Sequence, residues 1–252
     1  PVAVAAIFAA TIEKQTGGYL AVTSKGVEAR ETVLTKGDRT VRLVGMVHIG
    51  EGRFYRDLFQ SFPPDALVLV EGVSDRKELL KGKFSYGRIA AALGLEEQSG
   101  IQAEWMHAAG AASAPSTPGA SASAAKPPAS PGHPTILRAD IDISEFTPGT
   151  IRFLGEIGEL YSSPSIWEAF RRIGEMDDRY ADSDVEAVFK DLIDKRNARL
   201  LAVFDKESPA HPVTIIPWGA QHMPGIEAAL RERGYTVQSR QALNVVRYGE
   251  MF

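Results

Sequence analysis

Apolar and polar positions alternate through residues 18–48, with breaks at Lys25-Gly26 and at Lys36-Gly37-Asp38. That period of two predicts antiparallel strands joined by turns, the third strand running out at His48. Residues 51–62 change period: Phe54, Tyr55, Leu58, Phe59 and Phe62 share a helical face. A short, continuously apolar run then ends at Glu71, the mark of a strand covered on both faces. Residues 75–95 and 96–109 read as helices, and residues 135–146 lead to further helices rich in Ile, Leu and Phe. Residues 212–219 read as another buried strand, followed by a glycine turn and a helix from about Pro224 to Arg233 closed by Gly234. Two final strands are expected over residues 235–239 and 242–248.

One helix can be placed closely. Ser183 as cap and Glu186 three residues later form a capping box. The apolar stripe that follows is Val185, Val188, Phe189, Leu192, Ile193, Leu200, Val203 and Phe204. Arg196 lies on that stripe, where helical spacing asks for an apolar side chain. An inward guanidinium must be paired, so Arg196 is either a structural ion pair or the electrostatic stabiliser of a site.

Residues 108–134 are almost wholly Ala, Ser, Pro and Gly and cannot bury enough apolar area to offset their ordering entropy. They read as a long disordered insertion. The strands on either side look like parts of one sheet, so the expectation is a single domain over residues 1–252. Its class is α/β, with a mixed, largely parallel central sheet flanked by helices.

Composition narrows the function. Lys and Arg number 28 against 32 Asp and Glu, a net charge of −4 with scattered basic residues, which argues against a nucleic-acid partner. The chain has no cysteine, so a metal site must be built from His, Asp and Glu. The apolar residues 1–12 are too short for a spanning helix and read either as a first helix on the domain or as the stub of a removed anchor. A missing N-terminal anchor would associate the chain with a membrane, and an extracytoplasmic or membrane-anchored setting is the expectation over a cytoplasmic one.

Three positions share one geometry. His48, Glu71 and His222 each follow an apolar strand at its carboxyl end, the edge of an α/β sheet where ligand crevices form. Both histidines sit in Gly-x-x-His, with Gly45 and Gly219 allowing a turn or a close backbone approach. Two neutral imidazoles and a carboxylate suit a divalent ion such as Mn, Co or Zn, with positions left open for water. Glu71 is then a ligand or the base that takes the water's proton, and Arg196 stabilises a developing oxyanion or clamps a substrate carboxylate. Asp140 and Asp142 offer a second acidic contribution, with capping as the plainer reading. His107, His133 and His211 lack a matching context and are read as surface or structural.

In order and wording, "LVGMVHIG", "PDALVLVEG", "KRNARLL" and "PWGAQHMPGIEAALRERGY" resemble the TraB/PrgY, GumN and Tiki family, and more distantly the erythromycin-esterase and ChaN-like proteins. The resemblance covers most of the chain outside the insertion and the first forty residues. It implies an α/β fold in which both Gly-x-x-His motifs and the strand-end Glu gather in one cleft, with Tiki members acting as metal-dependent peptidases. By position it carries over Gly45 and His48, Glu71, Arg196 with Asn197, and Gly219 with His222; "ADID" extends it to Asp140. Asn197 and Asp140 are thereby expected to contact substrate. Met46 departs from the family pattern, which has Thr after the glycine.

Two functions follow as expectations: a metal-dependent hydrolase acting on a peptide or small molecule, or a membrane-associated module that sequesters a peptide or haem with the same residues and without turnover.

Overall fold

The computed structural model describes residues 2–80, 87–109, 133–161 and 182–250. The bulk of the Ala/Ser/Pro insertion, residues 110–132, and the side chain of the capping residue Ser183 fall outside the described residues. Helix α1 (Val2–Gln15) leads through Gly17 and Gly18, both at positive φ, into β1 (Leu20–Val22). β2 (Gly26–Lys36) and β3 (Arg39–Met46) continue the antiparallel ribbon around Gly37, whose φ of 60° meets the demand of the turn.

The fold is α/β, with a mixed, largely parallel sheet of seven strands among the described residues. β3 is joined in parallel by β8 (Val213–Gly219), β8 by β5 (Leu67–Val70), and β5 by β7 (Thr135–Arg138). β5 and β7 lie on opposite sides of the insertion in sequence and are direct neighbours in the sheet. On the other flank β9 (Thr236–Arg247) pairs with β2. It is one strand where two were expected, because β2 is long enough to partner all of it; two bulges, at the steps Val27/Glu28 and Val33/Leu34 of the pairing, take up the irregular pattern.

Strand alternation sends side chains to two cores. Val44, Met46, Val68, Val70 and Ile215 face α2 (Gly52–Gln60) and α4 (Gln98–Ala108), packing on Phe54, Tyr55, Leu58, Ile101 and Trp105. Leu43, Leu67, Leu69, Ile216 and Trp218 face the other way, onto Leu200 and Phe204 of α7 (Arg196–Glu207) and Ile226 and Leu230 of α8 (Met223–Glu232). All four residues of β5 are buried, as a strand covered on both faces requires. Burying Leu67 and Leu69 contributes roughly 1.5–3 kcal/mol each.

Ser74 bridges to Asp142 and residues 75–80 form turns and irregular backbone where a helix was expected, and among the described residues the next helix is α3 (Gly87–Ala92). Glu96 and Glu97 are β6 rather than the start of a helix, pairing with β4 (Ile49–Gly50) beside His48. Helix α5 (Pro148–Tyr161) follows β7.

The expected single helical stripe through residues 185–204 is broken. After α6 (Asp182–Phe189) the backbone takes a π-helical path from Lys190 to Lys195 and returns to α geometry at Arg196. The wider turn shifts the buried face, leaving Phe189 57% exposed and Asp191 1% exposed. Asp191 accepts from the Thr147 backbone N–H and the Thr150 hydroxyl, both at 2.7 Å, and pairs with Lys195 at 2.6 Å. Bonding between positions five apart lets Asp191 and Arg196 both face inward, which an unbroken α-helix would not allow.

Candidate functional site

The carboxyl ends of β3, β8, β5 and β7 lie side by side in that order, so the residues that follow them form a row along one sheet edge. The row reads His48, His222, Glu71, Asp140. Strands are about 4.8 Å apart, so His48 and Glu71 start two strands apart with the β8 segment between them.

The two Gly-x-x-His motifs are neighbours: Gly45 pairs with Trp218 and Met46 with Gly219. Glycine is needed at 45 because a Cβ there would stand 2.7 Å from the Tyr19 carbonyl oxygen. At 219 a Cβ would meet Glu71 Oε2 at 3.3 Å, and the Gly219 N–H donates to that oxygen at 2.6 Å. Beyond the glycines the motifs diverge. Residues Ala220–His222 make a 3-10 turn into α8 that buries His222, whereas the first motif runs on into β4 and leaves His48 exposed. Met46 is fully buried in the core under α2 and α4, so its size serves packing.

His222 is held in one tautomer. Its Nδ1 lies 2.8 Å from Asn197 Oδ1, and Asn197 Nδ2 donates to the His222 carbonyl at 3.4 Å. With the amide nitrogen committed to the carbonyl, its oxygen must accept, so the proton is on Nδ1 and the lone pair on Nε2. Nε2 faces Arg196 Nη1 at 3.3 Å and Glu71 Oε1 at 3.6 Å. Burial pushes the imidazole pKa down to about 4, outweighing the opposing pull of Glu71, with the Arg196 charge adding to the downward shift. The ring is therefore neutral at neutral pH.

Arg196 occupies the centre. It donates through Nε to Asp140 Oδ1 at 3.0 Å, and through Nη2 to Asp140 Oδ2 at 2.7 Å and Glu71 Oε1 at 2.6 Å. Its guanidinium also lies 5.5 Å from the centre of the Trp218 ring, whose edge-on partner is His222. Burial, the largest single influence, would raise the Glu71 carboxyl, but the Arg196 charge, the two histidines and the Gly219 N–H together outweigh it and hold Glu71 at about 2. The same two carboxylates push the Arg196 pKa above its ordinary value.

The remaining expected site residues are engaged from within. Four N–H groups converge on Asp140: two from Arg196, Gly72 at 2.8 Å and Ile141 at 2.9 Å. Both polar atoms of Asn197 serve His222. Asp142 takes the plainer role as a cap, accepting from Ser144 and Ser74. Of the other histidines, His107 and His133 are exposed and His211 bonds the Asp65 carbonyl. Sequence reasoning missed Gln102 of α4, which donates to the Glu71 carbonyl, and Trp218, whose Nε1 is anchored on the Leu69 carbonyl at 2.9 Å. Neither carries a local signal, since an amide on a helix and an apolar ring in a strand are ordinary.

The donor chemistry suits a divalent ion at His222 and Glu71. Two donors on one ion, each about 2.0–2.2 Å from it, stand roughly 3.0–3.6 Å apart, and His222 Nε2 and Glu71 Oε1 are 3.6 Å apart. The imidazole also presents the atom a ligand needs. His48 acts electrostatically on both groups from the surface end of the row. Among the described residues, no three His, Asp or Glu side chains already stand in a metal-holding geometry, and the Arg196 guanidinium takes up the face that Glu71 and His222 share.

No protein-family model, curated protein or solved structure matches the chain. The case for function therefore rests on the site itself.

Proposed function

We propose that the chain is a metal-dependent hydrolase of the peptidase kind, with Glu71, His222 and His48 holding a divalent ion, Mn, Co or Zn. The observation that carries this reading is the 3.6 Å separation of His222 Nε2 and Glu71 Oε1, with the tautomer fixed by Asn197. When bound, such an ion supplies Lewis acidity and a water acidic enough to yield hydroxide near neutral pH.

The residues divide the work by their electrostatics. A carboxyl held at about 2 is a poor base near neutrality, so Glu71 serves as a ligand rather than as a proton acceptor. His222, kept neutral by burial, presents its lone pair without first losing a proton. Asn197 keeps that lone pair aimed. Arg196 is the positive group available to negative charge developing on a substrate carbonyl, with Asp140 holding it in place. The resemblance of the motif order to the TraB/PrgY, GumN and Tiki family, with its metal-dependent peptidases, supports peptide as the substrate class.

The test is to strip the protein with chelator, reload it with Mn, Co or Zn, and follow a peptide library by mass spectrometry. Cleavage by the loaded protein that disappears in His222→Ala and Glu71→Gln is the expected result. Absence of both stoichiometric metal and cleavage would sink the hydrolase and leave the sequestering module, which titration with peptide or haem would then reveal.

A further inference from the structure

The two atoms best placed to take an ion are both covered by one side chain. Arg196 Nη2 lies 2.6 Å from Glu71 Oε1, and Nη1 lies 3.3 Å from His222 Nε2. The guanidinium thus satisfies the lone pairs that a metal would use, and its positive charge repels any second cation brought to the same place. We propose that Arg196 is an internal competitor for the metal: taking up the ion and releasing Arg196 from Glu71 are one event. This inference rests on the metal-dependent reading of the site.

The architecture gives the displaced side chain somewhere to stay. Asp140 grips Arg196 at two points, through Nε and Nη2, and is itself fixed by the N–H groups of Gly72 and Ile141. Losing Glu71 therefore leaves Arg196 tethered at the edge of the row. The N–H groups that it withdraws from Glu71 and His222 become available to an anion at the point where the ion arrives. Two carboxylates facing one guanidinium also leave one negative charge in excess, which favours uptake of a divalent cation. Arg196 is the first residue after the π-helical segment, a kind of irregularity that recurs at functional positions. The pairing is thus more than a static buried ion pair: it sets how tightly the site takes metal and couples occupancy to the position of the cation.

The experiment compares Co(II) binding to chelator-treated wild type, to Arg196→Met and to the double variant Arg196→Met/Asp140→Asn, by calorimetry and by the visible spectrum of the bound ion. The double variant keeps the net charge of the cluster, so a gain there does not come from added negative charge. Binding at least tenfold tighter in the double variant than in wild type is expected. Equal or weaker binding in a folded double variant would overturn the competition while leaving the metal site standing; no binding of Co(II), Mn(II) or Zn(II) to any of the proteins would overturn both. If Arg196→Met and the double variant fail to fold, wild type decides, with the conservative Arg196→Lys used for assignment. The Arg196 Nη–H resonances, assigned by their loss in Arg196→Lys, should move when Zn(II) binds, and unmoved resonances with bound metal would count against the proposal.

Discussion

Asn197 and His222 hold each other at two points, with Asn197 Oδ1 2.8 Å from His222 Nδ1 and Asn197 Nδ2 3.4 Å from the His222 carbonyl oxygen. Asn197→Ala removes the acceptor that fixes the tautomer and leaves a buried N–H unsatisfied. Stability should fall by about 1–3 kcal/mol, and Co(II) affinity by about 10- to 100-fold. Calorimetry on the folded variant checks the second figure, and an unchanged affinity would show that the pairing serves the fold alone.

Gly225 sits behind that pair. A Cβ at 225 would lie 2.8 Å from Asn197 Nδ2, so Gly225→Ala should displace the amide and disturb His222 without touching it. Gly100 in α4 is the control, because a Cβ there would meet only open space. At that position the same change should stabilise by about 0.4–1 kcal/mol. Urea melts of the two variants should move in opposite directions.

Asp191 anchors the π-helical segment on Thr147, Thr150 and Lys195. Asp191→Ala leaves these groups unpaired and removes the contact that holds the wide turn inward, and it should cost about 2–4 kcal/mol. Asp191 is held at about 2 against an ordinary 3.8, with its hydrogen bonds and Lys195 outweighing burial. Its contribution is therefore present above about 3.8 and is lost as the pH falls through 2. Acid titrations of wild type and variant should converge in that range.

His222 governs a different window. The folded ring resists its proton until about 4, while an unfolded imidazole takes it at 6.5. The unfolded state thus binds more protons between those values, and stability, complete above 6.5, declines as the pH falls toward 4. The drop is about 3 kcal/mol. Glu71 adds a second loss below 4.5, as the pH falls toward 2. Urea unfolding of metal-free wild type and His222→Gln across this range should show a shallower decline in the variant; parallel curves would contradict a buried neutral ring.

Much of this arrangement was legible in the chain because its signals are local. The unbroken apolar run of residues 67–70 marks a strand covered on both faces, and the glycine turn before Pro224 marks the start of a helix. Placing Glu71 and His222 at strand ends followed from those patterns. Phe189 and Asp191 were not legible in the same way. Their inversion comes from a π turn, and a helical period read from sequence assumes a constant pitch. The likeness of the two Gly-x-x-His motifs also hid a difference, since one leads into a helix that buries its histidine and the other into a short strand that does not.

By itself the sequence determined the α/β alternation, the strand ends at which His48, Glu71 and His222 stand, and an inward-facing arginine in need of a partner. Hydrophobic period and turn chemistry act over a few residues, so a single segment is enough to express them. Only the tertiary structure decided the strand order that sets His222 between His48 and Glu71, and the bonds that give Arg196 both Asp140 and Glu71. Those relations join residues far apart in the chain, Arg196 and Glu71 being separated by 125 positions, and they are selected by the closing of two cores around one sheet, a global balance of burial that no local stretch carries.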